Sequence, residues 1–285
     1  MNKEILGVLL VSIIVLISGC TMPFGGGGEK QTAMAGTQGL TILYFGPDVE
    51  YPVSGQSINL EARIKNVGDA VAKNVEGEIY LLSWGSTSIA KGADLNPPDP
   101  EVGREGEEDR LTWKVKAPKV TKTQTYDAGV HVRYDYTTTT VATIYAFSRT
   151  EYRKRMERRE PIPKVKNIVN SNSPVHVDVR IQNILKTGSP DVPITLVFKN
   201  VGGGNVEYND DTKHYVIKKA TVKIGDTTKE CPPNIPMKGG REGYCTVRVD
   251  IPSTSDEVKL PIEITTSYQY EISAETKISV HPEFE

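Results

Sequence analysis

Ser57-Ile58-Asn59-Leu60-Glu61-Ala62-Arg63-Ile64-Lys65-Asn66-Val67-Gly68 alternates polar and apolar side chains and then breaks at Asn-Val-Gly. A period of two puts Ile58, Leu60, Ala62 and Ile64 on one face of an extended chain, as in a strand with one side in a core. Similar alternation runs through Leu111–Val115, Val130–Tyr136 and Val175–Ile181, separated by clusters such as Asn96-Pro97-Pro98-Asp99-Pro100. Short alternating strands punctuated by Gly, Pro, Asn and Asp predict an all-β sandwich or barrel.

The opening stretch returns 134 residues later. Lys65-Asn66-Val67-Gly68 recurs as Lys199-Asn200-Val201-Gly202, and Ile58, Leu60, Ala62 and Ile64 fall on Val192, Ile194, Leu196 and Phe198. At the same spacing Pro98 falls on Pro232, Gly106 on Gly240, Thr112 on Thr246, Val115 on Val249 and Pro118 on Pro252. Tyr134 and Tyr136 fall on Tyr268 and Tyr270, and Ile144 on Ile278. A register kept over this distance predicts two copies of one sandwich, residues 39–148 and 173–285. The shared Asn-Val-Gly predicts a tight turn, with Gly68 and Gly202 supplying a positive φ and the Asn side chain bonding nearby backbone. The tyrosine pairs are expected to cover a sheet face or form a corner, rather than to stack on a ligand.

Ahead of the copies, Lys3 precedes an apolar run from Ile5 to Ile17 that closes on Ser18-Gly19-Cys20. These are the basic region, apolar region and small-residue cleavage site of an export signal. The segment Leu16-Ile17-Ser18-Gly19-Cys20 resembles a prokaryotic lipoprotein lipobox, which implies that residues 1–19 are removed and that the Cys20 thiol carries lipid. The run is short of the roughly 20 apolar residues that span a bilayer. A pilin-type signal would place its cleavage motif before the apolar run, whereas here the small residues follow it. Residues 20–38, with Gly25-Gly26-Gly27-Gly28, read as a flexible tether with an end-to-end distance of roughly 23 Å. The glycines lack the spacing and the Ser or Thr of a phosphate-binding loop.

The net charge of −2, with 25% charged residues, argues neither for a nucleic-acid partner nor for a disordered solvating chain. With Cys20 assigned to lipid, two of the three cysteines remain, Cys231 and Cys245. In an export compartment an even pair is expected to form a disulfide. A zinc site is the poorer reading, because no histidine lies nearby at ligand spacing. Residues 149–172 begin with six basic and three acidic residues before Pro161-Ile162-Pro163. They are expected to form a linker, helical in part, that is either a solvated hinge or a basic patch toward an anionic membrane.

The strand ending in Lys65-Asn66-Val67-Gly68, followed by Leu111-Thr112-Trp113-Lys114-Val115 and Pro118, resembles the CARDB kind of immunoglobulin-like domain. Such domains recur in tandem on archaeal and bacterial surface proteins. The second copy keeps Asn200, Gly202 and Pro252 and has Val247 where the first has Trp113. The leader, the tether and the entry Thr37-Gln38-Gly39-Leu40 look like those of archaeal surface lipoproteins. The resemblance implies two tandem immunoglobulin-like β-sandwiches and carries no catalytic residue.

Nothing in the sequence has the form of an enzyme site: no nucleophile elbow, no zincin motif and no EF-hand loop. His131, His176, His214 and His281 are scattered through strand-like segments. Two oxygen-rich runs invite comparison with calcium loops, Glu105, Glu107, Glu108 and Asp109, and Asn209, Asp210 and Asp211. Calcium needs about six to eight oxygens from several segments, so solvated loops are the expectation, with no metal and no cofactor. The expected function is that of a non-enzymatic surface protein, held by its N-terminal lipid on the outer face of the cell membrane. It would bind other surface proteins in adhesion or assembly, with no nucleic-acid partner. The alternative is a carbohydrate- or solute-binding module serving a transporter or surface enzyme, for which Trp84, Tyr145 and Tyr152 are the candidate aromatics.

Overall fold

The long strands decide the architecture. In the computed structural model, which describes residues 39–85, 88–209, 211 and 214–283, the chain is all-β with one short helix. The first half holds β1 (Leu40–Pro47), β2 (Ser57–Asn66), β3 (Lys73–Tyr80), β4 (Ala90–Lys91), β5 (Glu108–Lys116) and β6 (Gln124–Phe147). Then come α1 (Arg149–Arg158), β7 (Val165–Asn170), β8 (Val175–Arg180), β9 (Leu185–Lys186) and β10 (Val192–Asn200). The remainder is β11 (Asn205–Val206), β12 (Tyr208–Asn209), β13 (His214–Ile217), β14 (Lys219–Ile224) and β15 (Thr227–Glu230). It closes with β16 (Ile235–Lys238), β17 (Glu242–Val249) and β18 (Glu257–Val280). The export signal, Cys20 and the tether lie outside the described residues, as does Asp210.

β6 and β18, 24 residues each, pair antiparallel over their whole lengths, from Gln124 opposite Val280 to Phe147 opposite Glu257. They form the middle of a nine-stranded sheet in the order β15-β14-β18-β6-β3-β4 with β7, β9 and β11 at its flanks. On β6 the residues from Ala128 to Ala146 at every second position are buried. That face is covered by two smaller sheets, β1-β2-β5 and β12-β13-β16-β17-β10-β8.

The duplicated sequence folds as a duplicated structure. Leu60 pairs with Trp113 as Ile194 pairs with Val247, the same register 134 residues on. Phe45 pairs with Ala62 as Val179 pairs with Leu196. Asp135 lies opposite Gln269, which is its own equivalent in the second copy, so a pseudo-twofold axis passes through this pair. The unbroken 134-residue spacing conceals one irregularity. Val132 pairs with Gly77, but its equivalent Thr266 pairs with Ala220, nine residues beyond the counterpart of Gly77. The hairpin β12-β13 is inserted before β14, and the loop after β14 is correspondingly shorter.

The two copies share a sheet instead of hanging on a hinge, and the described chain belongs to one compact body. Residues 149–172, expected as a linker, supply α1 and the strand β7, which pairs with Thr140–Ile144 of β6. The copies also clasp one another. Val53 of the first forms a parallel bridge with His281 at the end of β18, and β9 of the second runs parallel to Ala146 and Phe147 at the end of β6.

Four tyrosines sit around the axis on the buried face, Tyr134 opposite Tyr270 and Tyr136 opposite Tyr268, with neighbouring ring centroids 5.6–6.4 Å apart. Edge-to-face and tilted contacts of this kind suit the ring quadrupoles. Each hydroxyl ends on a backbone N–H. Tyr134 accepts from Leu40 at 3.2 Å, Tyr136 from Ala70 at 3.1 Å, Tyr268 from Val175 at 3.3 Å and Tyr270 from Gly204 at 2.9 Å. Asn66 and Asn200 complete the junctions. Each Asn Oδ1 accepts from the glycine two residues on, and each amide nitrogen donates to the carbonyl four residues on, Ala70 or Gly204.

Gly68 and Gly202 therefore serve a different purpose from the one the sequence suggests. Neither has a positive φ. A Cβ on Gly68 would stand 2.1 Å from the Tyr136 hydroxyl and 2.6 Å from the Asn172 carbonyl, and one on Gly202 would stand 2.4 Å from the Tyr270 hydroxyl. They are glycines because a phenol occupies the space of a side chain. Gly68→Ala is expected to destabilise the protein by about 3 kcal/mol, through overpacking together with loss of the part-buried Ala70 bond. A urea midpoint unchanged from that of the wild type would show that the junction relaxes freely.

Cys231 and Cys245 form a disulfide. The Cys231 N–H donates to Ala220 on β14, while Cys245 lies in β17 opposite Leu196, so the bridge staples the central sheet to the sheet that covers it. Closing a loop of this size stabilises by about 3 kcal/mol in the chain-entropy model.

Candidate functional site

The short helix makes the concave feature of the surface. Its start is fixed by Ser148, whose hydroxyl accepts the Glu151 N–H at 3.1 Å, and its end by Arg159 in the left-handed conformation at φ 58°. No residue of α1 is buried, so packing alone does not hold it. Arg155 does. Its guanidinium bonds Glu151 one turn earlier at 2.9 Å, reaches Glu257 at the start of β18, and lies 4.9 Å from the centroid of the Phe147 ring. The Ser148 N–H also donates to Asp256 at 2.8 Å.

Beneath the opposite flank of α1 runs β9, kept parallel to the end of β6 by the bridges Ala146–Leu185 and Phe147–Lys186. Between helix and strand is a cleft of about 640 Å³, lined by Phe147, Ser148, Arg149, Tyr152, Arg153, Ile184, Leu185 and Lys186. This volume is in the range of small-molecule sites. Three of the lining side chains are cations and none is a carboxylate. Glu151 and Glu257, the nearest acids on the helix and on β18, are both engaged by Arg155.

Of the aromatics singled out from sequence, Tyr152 lines this cleft. Tyr145 lies on the outer face of the central sheet between two ammonium groups, Lys166 at 5.8 Å and Lys259 at 6.0 Å. Trp84 packs edge-on against Tyr126 at 5.6 Å, near the start of β6. Tyr126 and Tyr145 are separated by roughly 60 Å of strand at about 3.3 Å per residue, so these aromatics form no common platform. Phe147, Ile184, Leu185 and Lys186 carry no local signature, because the parallel bridge that gathers them joins segments far apart in sequence. Arg149 and Arg153 were visible only as part of a basic run.

The oxygen-rich runs disperse. Glu105 and Glu108 bind Lys65, Glu107 binds the side chain and N–H of Asn96, and Asp109 accepts the Ala93 N–H. Asp211 lies in a turn beyond β12. Among the described residues no group of three or more His, Cys, Asp or Glu is placed to hold a metal ion. The histidines stay apart. His131 stacks on Tyr80 with centroids 4.0 Å apart and lies 3.4 Å from Glu271. His281 contacts Tyr51 and Thr123, His214 is exposed, and burial holds the half-buried His176 below the usual imidazole range.

Comparison with known proteins assigns no family. No family model and no curated protein matches the chain. Among solved structures, it aligns with the VP2 subviral particle of infectious bursal disease virus at 10% identity, covering 82% of this chain and 74% of that one, with a TM-score of 0.15. A mutant VP2 of the same virus, in derived T=1 particles, gives 10% identity, 82% and 71% coverage and the same TM-score.

Proposed function

We propose that the chain is an exported, lipid-anchored surface protein whose two immunoglobulin-like copies, of the CARDB kind, form one rigid, non-enzymatic binding module. The cleft between α1 and β9 carries this reading. It is concave, part apolar and part cationic, and its floor is the fused sheet itself, which favours the uptake of a solute or glycan. The leader ending in Cys20 and the disulfide support display outside the cell.

The anchor has a direct test. Wild-type protein is expected to fractionate with membranes, and Cys20→Ser protein to be recovered from the medium. A Cys20→Ser form as firmly membrane-bound as the wild type removes the lipid from the proposal.

A second reading, adhesion to or assembly with other surface proteins, is favoured by the inserted hairpin β12-β13. It places Tyr208 and Tyr215 edge-to-face at 5.2 Å, with Tyr208 about half exposed (49%). Exposed aromatic pairs are common anchors of protein interfaces. Surface cross-linking of intact cells, with a Tyr208→Ser control, would recover a partner that the control loses.

A further inference from the structure

The cleft has a chemistry more specific than its shape. We propose that it binds a small organic anion, a carboxylate or phosphate carried on a ring or short apolar body; this rests on the binding-module reading. Arg149, Arg153 and Lys186 surround the cavity, and none of the three has an ion-pair partner among the described residues. Elsewhere on the described surface some cations have a carboxylate partner and others have none, so what sets these three apart is that they border one cleft. Lys65, Arg110, Arg133, Lys218 and Arg248 each contact a carboxylate within 4 Å.

The three cations are solvent-exposed, and a capped helix and a parallel strand set them around one concavity, where their fields add. Arg155 positions the helix from its far flank by taking both nearby acids, Glu151 and Glu257, and leaves the cleft side without a carboxylate. Phe147, Ile184, Leu185 and Tyr152 supply the surface against which the uncharged part of the ligand loses water. Two guanidinium groups suit the planar, forked geometry of carboxylate and phosphate oxygens. The anion is supplied either by an acidic sugar or by the headgroup of an anionic lipid.

The test uses the full chain in non-ionic detergent, titrated by calorimetry with a galacturonic acid trimer, with the neutral galactose trimer, and with inositol monophosphate as the headgroup probe. One of the anionic probes is expected to bind saturably, and the neutral trimer not to bind. Trimer binding alone assigns a glycan source, and inositol phosphate binding alone a lipid source. Arg153→Gln and Lys186→Gln are each expected to weaken binding by about tenfold, the loss typical of one charge-assisted hydrogen bond. Lys154→Gln, on the same helix but outside the cleft lining, is expected to leave it unchanged. Silence with both anionic probes overturns the proposal. So does equal binding of the neutral trimer, or a Lys154→Gln effect as large as that of Arg153→Gln, which would reduce the site to diffuse surface attraction. None of these outcomes touches the anchoring test, since release of the Cys20→Ser protein is read in cells without any ligand.

Discussion

Residues 39–148, expressed without the second copy, are expected to form a dimer or to precipitate, and not to persist as a folded monomer. In the whole chain every residue of β6 is paired with β18. Removing β18 uncovers an edge of 24 residues, roughly 80 Å at about 3.3 Å per residue, with Val130, Val132, Tyr134 and Tyr136 in the face behind it. A long bare edge of this kind recruits another strand. The pseudo-twofold axis specifies which one. A second β6 pairing about Asp135 would set Tyr134 opposite Tyr136, as it now lies opposite Tyr270, and the two ends would be clasped as Val53 now clasps His281. One contact would be worse than in the full chain, because Asp135 would face Asp135 where it now faces Gln269. Like charges directly opposite in a sheet cost on the order of 0.2–1 kcal/mol. Asp135→Gln in the fragment is therefore expected to tighten the dimer. Sedimentation equilibrium reads both results, and a cooperatively folded monomer at micromolar concentration would refute the claim that the copies depend on each other's sheet.

That dependence shows where sequence reading stops. The alternating runs at Ile58–Ile64, Leu111–Val115, Val130–Tyr136 and Val175–Ile181 are strands, the last ending one residue early at Arg180, since period two is a local property that each segment carries by itself. The local Asn side-chain bonds, two and four residues along the chain from Asn66 and Asn200, are legible for the same reason, whereas those that tie Asn66 to the Leu95 carbonyl, and Asn200 to the Gly240 carbonyl and the Tyr270 hydroxyl, are not. Partner choice is not local. Nothing in β6 says that it pairs with its own duplicate and not with a neighbour in its own copy, and only the register, with Asp135 opposite Gln269, discloses the axis. Val165–Asn170 reads as linker because only some of its side chains face the core. Its place in the sheet comes from backbone bonds to β6. Gly68 and Gly202 stand out in the sequence, but a local reading assigns them a positive φ that neither has, because the phenol that excludes a Cβ is 68 residues away. The cleft was half visible in Tyr152 and the basic run, and its other wall, β9, was not.

The tyrosines at the axis also make the fold fail at high pH, more steeply than an ordinary β protein. Burial pushes all four hydroxyls up: Tyr136 and Tyr270 to about 12, Tyr268 further, and Tyr134 well above the usual phenol range, despite the N–H donors that partly offset it. In the unfolded chain a tyrosine loses its proton near pH 10. Below that pH both states are protonated, and the stabilisation is fully present. Above it the unfolded chain gives up protons that the folded chain retains, so stability falls with rising pH until the folded values are reached. Each phenol contributes a slope of about 1.4 kcal/mol per pH unit, and four acting together about 5 kcal/mol per unit. A typical domain stability of about 5–15 kcal/mol is used up within about one to three units above pH 10. The urea midpoint is therefore expected to be insensitive to these groups up to about pH 9.5 and to collapse between about pH 10.5 and 12. Tyrosinate absorbance should show the four phenols ionising only as the fold is lost. Tyr136→Phe should lower the alkaline slope by about a quarter, although at neutral pH it costs about 1–3 kcal/mol for the Ala70 N–H it leaves without its partner. If all the tyrosines titrate near pH 10 while the sheet remains intact, the quartet is wetter than its packing implies. The two halves of the molecule would then be held at the axis by backbone pairing without it.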